Sequence, residues 1–178
     1  SFAERARYRL LTQVISGAFY EELRTKRQLG YIVYATPFEM LETPAIGLVV
    51  QSPEASAETI GQAVADFAES FREHIEGMDD SALERERQAV ISKLKEQERT
   101  LSEVSERYWR EIDRQATGFD SKEQLAAAVA QVSREQLLAT FDHALAELDS
   151  SLLVVTGAEL ETSEEIINAL RNQPPVKD

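Results

Sequence analysis

Phe19-Tyr20-Glu21-Glu22-Leu23-Arg24-Thr25-Lys26-Arg27-Gln28-Leu29-Gly30-Tyr31-Ile32-Val33 is the stretch in which the chain changes its period. Upstream, Leu11, Val14, Ile15, Ala18, Phe19 and Leu23 recur at steps of three and four, lining one side of a helix with apolar side chains. Downstream, Tyr31-Ile32-Val33-Tyr34-Ala35 is rich in β-branched and aromatic residues, as strands are. The switch falls at Gln28-Leu29-Gly30, where a glycine lets the backbone turn tightly. No capping signal or strand introduces the first helix. The chain is therefore expected to begin at or just before it, with upstream strands cut away.

Working outward, Leu41-Glu42-Thr43-Pro44 supplies turn chemistry and Ala45 to Gln51 a second strand. A short polar loop between adjacent strands predicts an antiparallel pair. After Ser52-Pro53 a helix follows, with Ile60, Val64, Phe67, Phe71 and Ile75 on one face, closed by a left-handed Gly77. Ser81 with Glu84 has capping-box spacing and opens a charged helix that includes Lys93 to Arg99. Thr100 with Glu103, Asp120 with Glu123, and Ser133 with Gln136 repeat that spacing. Trp109, at helical distance from Tyr108 and Ile112, reads as core, and Leu137, Leu138, Phe141 and Leu145 line the helix after Ser133. Ser151 to Thr156 reads as a last strand, Thr162 with Glu165 as a cap, and Pro174-Pro175 as the start of a tail. A lone final strand must pair with an earlier one, so the helices lie against one sheet. The expected fold is α+β, a two-layer sandwich of a mostly antiparallel sheet covered by helices. It forms one domain over residues 1–172, with a tail at 173–178.

Composition narrows the function. Of 178 residues, 43% are hydrophobic, enough for a real core. The net charge of −13 repels a phosphate backbone, which argues against nucleic-acid binding, while favouring solubility and attracting basic peptides. No apolar run approaches the ~20 residues of a membrane span, and no signal peptide is visible. The absence of cysteine excludes disulfides, thiolate zinc sites and cysteine nucleophiles. The two histidines, His74 and His143, sit in neither a His-x-x-Glu-His nor a His-Glu-x-x-His pattern. Gly77 separates His74 and Glu76 from Asp79, so His74 reads as a surface residue, as does His143. Glu84, Glu86, Glu96 and Glu98 alternate with Arg and Lys, the pattern of a salt-bridged helix face and not of an acid/base pair. No Gly-x-Ser-x-Gly elbow and no glycine-rich phosphate loop occurs.

The segment Leu23-Arg24-Thr25-Lys26-Arg27-Gln28-Leu29-Gly30-Tyr31 resembles the signature of the insulinase/pitrilysin family of zinc metallopeptidases, in which a helix ending in Leu-Arg-Thr-x-x-Gln-Leu-Gly-Tyr runs straight into a strand. Gln51-Ser52, Met78, Leu101-Ser102-Glu103, Tyr108-Trp109-x-Glu111-Ile112 and Phe119-Asp120 follow in the family's order, so the resemblance covers residues 10 to 146. Arg27 departs from it, standing where relatives often carry an acidic residue; the expected effect is confined to a local ion pair.

The resemblance implies a C-terminal domain of a four-domain clamshell. In that family the zinc motif, with its general-base Glu, lies in the N-terminal half. This chain would then hold no metal and cleave nothing alone. Its partners would be the N-terminal half of the same peptidase and a peptide substrate, in a bacterial periplasm or cytoplasm. By the same resemblance Arg24 and Tyr31 are substrate-binding: an Arg fork suits peptide carbonyls and a phenol suits a developing oxyanion. Two other readings stand beside this one. One is a non-enzymatic scaffold subunit of the same fold; the other is an acidic peptide-binding module, which would bind peptides unaided with at least micromolar affinity.

Overall fold

Helix α1 (Phe2–Tyr20) gathers the core around itself. In the computed structural model, which describes residues 1–40, 43–114 and 118–146, its stripe is sealed: Ala6, Leu10, Leu11 and Phe19 are fully buried and Val14 and Ile15 nearly so. The helix does carry a cap, contrary to the sequence reading. Ser1 Oγ accepts the Glu4 amide at 3.3 Å, satisfying one of the first-turn donors.

Strands β1 (Ile32–Met40) and β2 (Thr43–Gln51) pair antiparallel, in register from Ile32 opposite Gln51 to Met40 opposite Thr43. Both are longer than their composition predicts, and Pro44 lies within β2, not in a turn. Among the described residues both strands are edges, where proline costs no ladder bond it cannot forgo. Val33, Ala35, Ile46, Leu48 and Val50 face α1; Ile32, Tyr34 and Phe38 face away and are exposed.

Helix α2 (Ala57–Glu76), capped by Ser56, brings Phe67 edge-on to Phe19 with centroids 5.4 Å apart, and Phe71 stacks on Phe67 at 5.1 Å. Gly77 ends it at φ −80°, ψ −3°, a right-handed conformation and not the left-handed cap read from the sequence. Its amide still finds the Glu73 carbonyl at 2.9 Å, so no left-handed turn is required. Helix α3 (Asp80–Leu94) is capped by Asp79 and not by Ser81: the carboxylate accepts the Ala82 amide at 2.7 Å and sits against the positive helix end. It stops at Leu94, so Glu96 and Glu98 lie beyond the helix and do not extend its charged face. Instead Glu98 pairs with Arg107 at 3.1 Å and with Lys122.

Helix α4 (Leu101–Asp113) opens on the expected capping box, Thr100 and Glu103 each accepting the other's amide at 3.2 Å. Helix α5 (Ser121–Val129) does not: Asp120 holds the N-cap position, but its carboxylate takes the Gln124 side chain in place of a backbone amide. Helix α6 (Arg134–Ala146) again shows the reciprocal pair, between Ser133 and Gln136, and buries Leu137 and Phe141. Trp109 corrects the sequence reading most sharply. It is 66% exposed, not in the core.

The unit Ser1–Leu145 is an α+β arrangement in which α1 packs on the antiparallel pair and on α3 and α5. The strand expected at Ser151–Thr156, the cap at Thr162, the tail at 173–178 and the domain end at 172 lie outside the described residues.

Candidate functional site

The passage from α1 into β1 is built from three successive departures from regular geometry. First, the helix widens into a π-helical turn, Glu21–Lys26, in which the Arg27 amide reaches the Glu22 carbonyl five residues back at 2.9 Å. Such turns are rare and concentrate at functional sites. Second, Gln28 adopts φ 55°, a left-handed conformation that costs a non-glycine residue about 1–2 kcal/mol. The tight turn read at Gly30 is therefore made at Gln28. Third, Gly30 presses against β2: a Cβ there would stand 2.5 Å from the Gln51 carbonyl oxygen. That same oxygen accepts the Tyr31 amide at 3.1 Å, which starts the strand pairing. The glycine serves close approach, with no positive φ.

The strained segment is anchored at both flanks. Leu23 is fully buried, Leu29 packs on the core, and the Leu29 amide donates to the Leu23 carbonyl at 2.9 Å. Arg27 donates at 3.1 Å to Glu22 and at 3.1 Å to Asp66 on α2. Its hydrogen bonds, to Asp66 first and then Glu22, raise Arg27 above the ordinary arginine value, and Arg27 in turn holds the Glu22 carboxyl low. Arg27 thus occupies its departure from the family signature as a staple between the π turn and α2. Nothing in the local sequence announces that Asp66 is its partner, 39 positions away.

Arg24 is the cation of this turn left unpaired among the described residues, and the Tyr31 hydroxyl is likewise unengaged. Lys26 pairs with Glu22 at 3.3 Å and with Glu21 at 3.7 Å, and Arg27 is doubly bound, but Arg24 has neither an ion pair nor a hydrogen bond among the described residues. Tyr31 is 54% exposed, and its hydroxyl has no hydrogen-bond partner among them. Neither side chain is locked into the interior.

Residues 10–109 match the family model described as PQQ synthase PqqF-like, C-terminal lobe domain 4. The chain belongs to this family. It is 27% identical over 138 residues to Protease 3 of Escherichia coli (strain K12), covering 78% of this chain and 14% of that protein. It is 25% identical over 156 residues to the A-factor-processing enzyme of Saccharomyces cerevisiae, covering 87% and 15%. Against the insulin-degrading enzyme of Drosophila melanogaster it is 26% identical over 168 residues, covering 94% and 17%. The crystal structure of pitrilysin overlays with a TM-score of 0.76 at 26% identity, covering 82% of this chain and 16% of that one. The resemblance to insulinase/pitrilysin peptidases and the α+β fold are thereby shown, and the chain spans about one seventh of the length of the relatives it matches.

The rest of the PqqF-like lobe domain carries no side-chain grouping of metal-binding type among its described residues. No group of three or more His, Cys, Asp or Glu side chains is placed there to hold a metal. His74 is exposed and stacks on Phe71 with centroids 4.9 Å apart, and His143 is exposed. Among the described residues no helix is long and apolar enough to cross a membrane.

Proposed function

We propose that this domain is one wall of the substrate chamber of a zinc metalloendopeptidase, with Arg24 and Tyr31 contacting the peptide near its scissile bond. The observation that carries the reading is the pair of unengaged donors beside a strained, stapled turn. Holding Gln28 left-handed and Gly30 against Gln51 costs energy that a plain connection would not incur, and such strain gathers where side chains must be aimed. Leaving an arginine unpaired in a chain of net charge −13, among neighbours that are paired, keeps its fork free for a ligand.

In this reading the Arg24 guanidinium holds a carbonyl of the peptide, and the Tyr31 hydroxyl donates to the oxygen on which negative charge develops, an interaction stronger in the transition state than in the substrate. Zinc, which polarises that carbonyl and supplies the attacking water, would be held by the N-terminal half of the parent polypeptide. The domain is the binding wall and not the hydrolytic one, so alone it would leave peptides intact. The compartment proposed for the parent is the bacterial periplasm or cytoplasm.

The test is kinetic. In the parent enzyme Arg24→Ala or Tyr31→Phe should lower kcat/KM by roughly tenfold or more with zinc content unchanged. Wild-type kinetics in both variants would overturn the contact role.

A further inference from the structure

Helix α4 is assembled inside out. Its covered side carries Glu111, 5% exposed, whose carboxylate accepts the Ser121 hydroxyl at 2.6 Å, together with the half-buried Arg107. Val104 is half-buried, but the larger apolar residues are open to solvent: Leu101 is 85% exposed, and Tyr108, Trp109 and Ile112 are exposed with it. At 3.6 residues per turn these four fall within one arc of roughly 100°. Phe119 extends the patch, its ring centroid 5.6 Å from that of Tyr108. Polar contacts hold the helix in place, through Arg107 to Glu98, Glu111 to Ser121, and Arg114 to Glu39 at 2.7 Å. The helix is fixed in position while its apolar face is left over. Single exposed apolar residues are ordinary, but five large ones in one patch mark a contact surface.

We propose that this face of α4 docks against an apolar surface of another domain of the same C-terminal lobe. Two observations select that occupant. The family to which the chain belongs is the fourth domain of a lobe, and the chain corresponds to only 14–17% of its relatives, so in them most of the polypeptide lies outside the matched part. The second is extent. Large aromatic side chains contribute roughly 150–250 Å² each when fully covered, so this partly exposed set offers several hundred Å². That is one side of an interdomain contact of about 600–1,500 Å², and well below the 2,000 Å² or more of an obligate dimer. The exposed charges next to this arc on the helix, Glu106 and Asp113, are acidic; a lipid surface would call for basic ones. The inference does not depend on the role of Arg24 and Tyr31.

The chain has no cysteine, so Trp109→Cys places a unique thiol within it at the centre of the patch. The test compares maleimide labelling of that thiol in the free 178-residue chain and in the full-length parent, read on the peptide containing residue 109. Fast labelling in the free chain and at least tenfold slower labelling in the parent is the expected result. Equal, fast labelling in both overturns the proposal, because the face is then open in the whole protein. Slow labelling in the free chain also overturns it, because the face is then covered by residues 147–178 or by a second copy; sedimentation of the chain separates those two. Wild-type emission supplies a check that needs no variant: Trp109 is the chain's one tryptophan, and in the free chain it should emit at the water-exposed limit and be quenched freely by acrylamide.

Discussion

Helix α1 turns its apolar stripe inward, sealing Leu10, Leu11 and Phe19 from water, while α4, whose stripe is at least as regular, turns it outward and covers a glutamate instead. The two sequences obey the same periodicity, and what differs is where the partner surface lies. For α1 it is β1, β2, α3 and α5, all on this chain. For α4 it is not found among the described residues. Periodicity therefore states that a face is to be covered, but not by which part of the polypeptide.

The comparison breaks or stands on truncations. Phe19→Ala should cost about 3–5 kcal/mol in urea unfolding, because the cavity left beside Phe67 has no ready filler. Trp109→Ala removes a larger side chain, yet in the isolated chain it should change stability by no more than about 0.5 kcal/mol. A cost of several kcal/mol there would mean that α4 is covered after all. Glycines sharpen the same contrast between enclosed and open positions. Gly30→Ala should destabilise by about 1–3 kcal/mol, since its methyl group meets the Gln51 carbonyl oxygen, which belongs to backbone and cannot swing aside. Gly17→Ala, in α1 with nothing within 4 Å of the added carbon, should stabilise by about 0.5–1 kcal/mol. The sign reversal between two glycines 13 positions apart is the readout.

The parts of the fold that were legible in the sequence are the locally determined ones. The α1 stripe, the antiparallel pair, and the reciprocal caps at Thr100/Glu103 and Ser133/Gln136 depend on residues a few positions apart, and each is present. The misread helix ends share a physical cause in competition between equivalent local solutions. Asp79 outbids Ser81 for the cap two residues away, and Gly77 needs no left-handed turn because its amide already has the Glu73 carbonyl. The site was legible in part. Arg24 and Tyr31 stand out through the family signature, but the left-handed Gln28 and the Arg27–Asp66 staple arise from how β2 and α2 close on the junction. No pattern within the quoted stretch encodes those distances.

The weakest expected effect concerns how α4 is held. Hydrogen bonding from Lys122, aided by the charge of Arg107, keeps the Glu98 carboxyl below its ordinary value of 4.5, and this one side chain links the segment before α4 to α4 itself and to α5. A depressed folded-state value means that the contribution is fully present above the unfolded value and is lost as the pH falls below 4.5 through the folded one. Helix α1 has a carboxylate contact of its own, Arg5 to Glu39 at 2.8 Å, but its stripe is held by apolar contact, so it should respond less. Hydrogen exchange, corrected for intrinsic rates, should therefore show α4 amides losing protection relative to those of α1 as the pH falls from about 5 to about 3, by a small margin because Glu98 is partly open to solvent. Glu98→Gln should remove that relative pH dependence and leave α4 at its acid-state protection throughout. If α1 and α4 lose protection in parallel, or the variant keeps the wild-type profile, then Glu98 is not what fastens α4, and the polar tethers at Glu111 and Arg114 carry it instead.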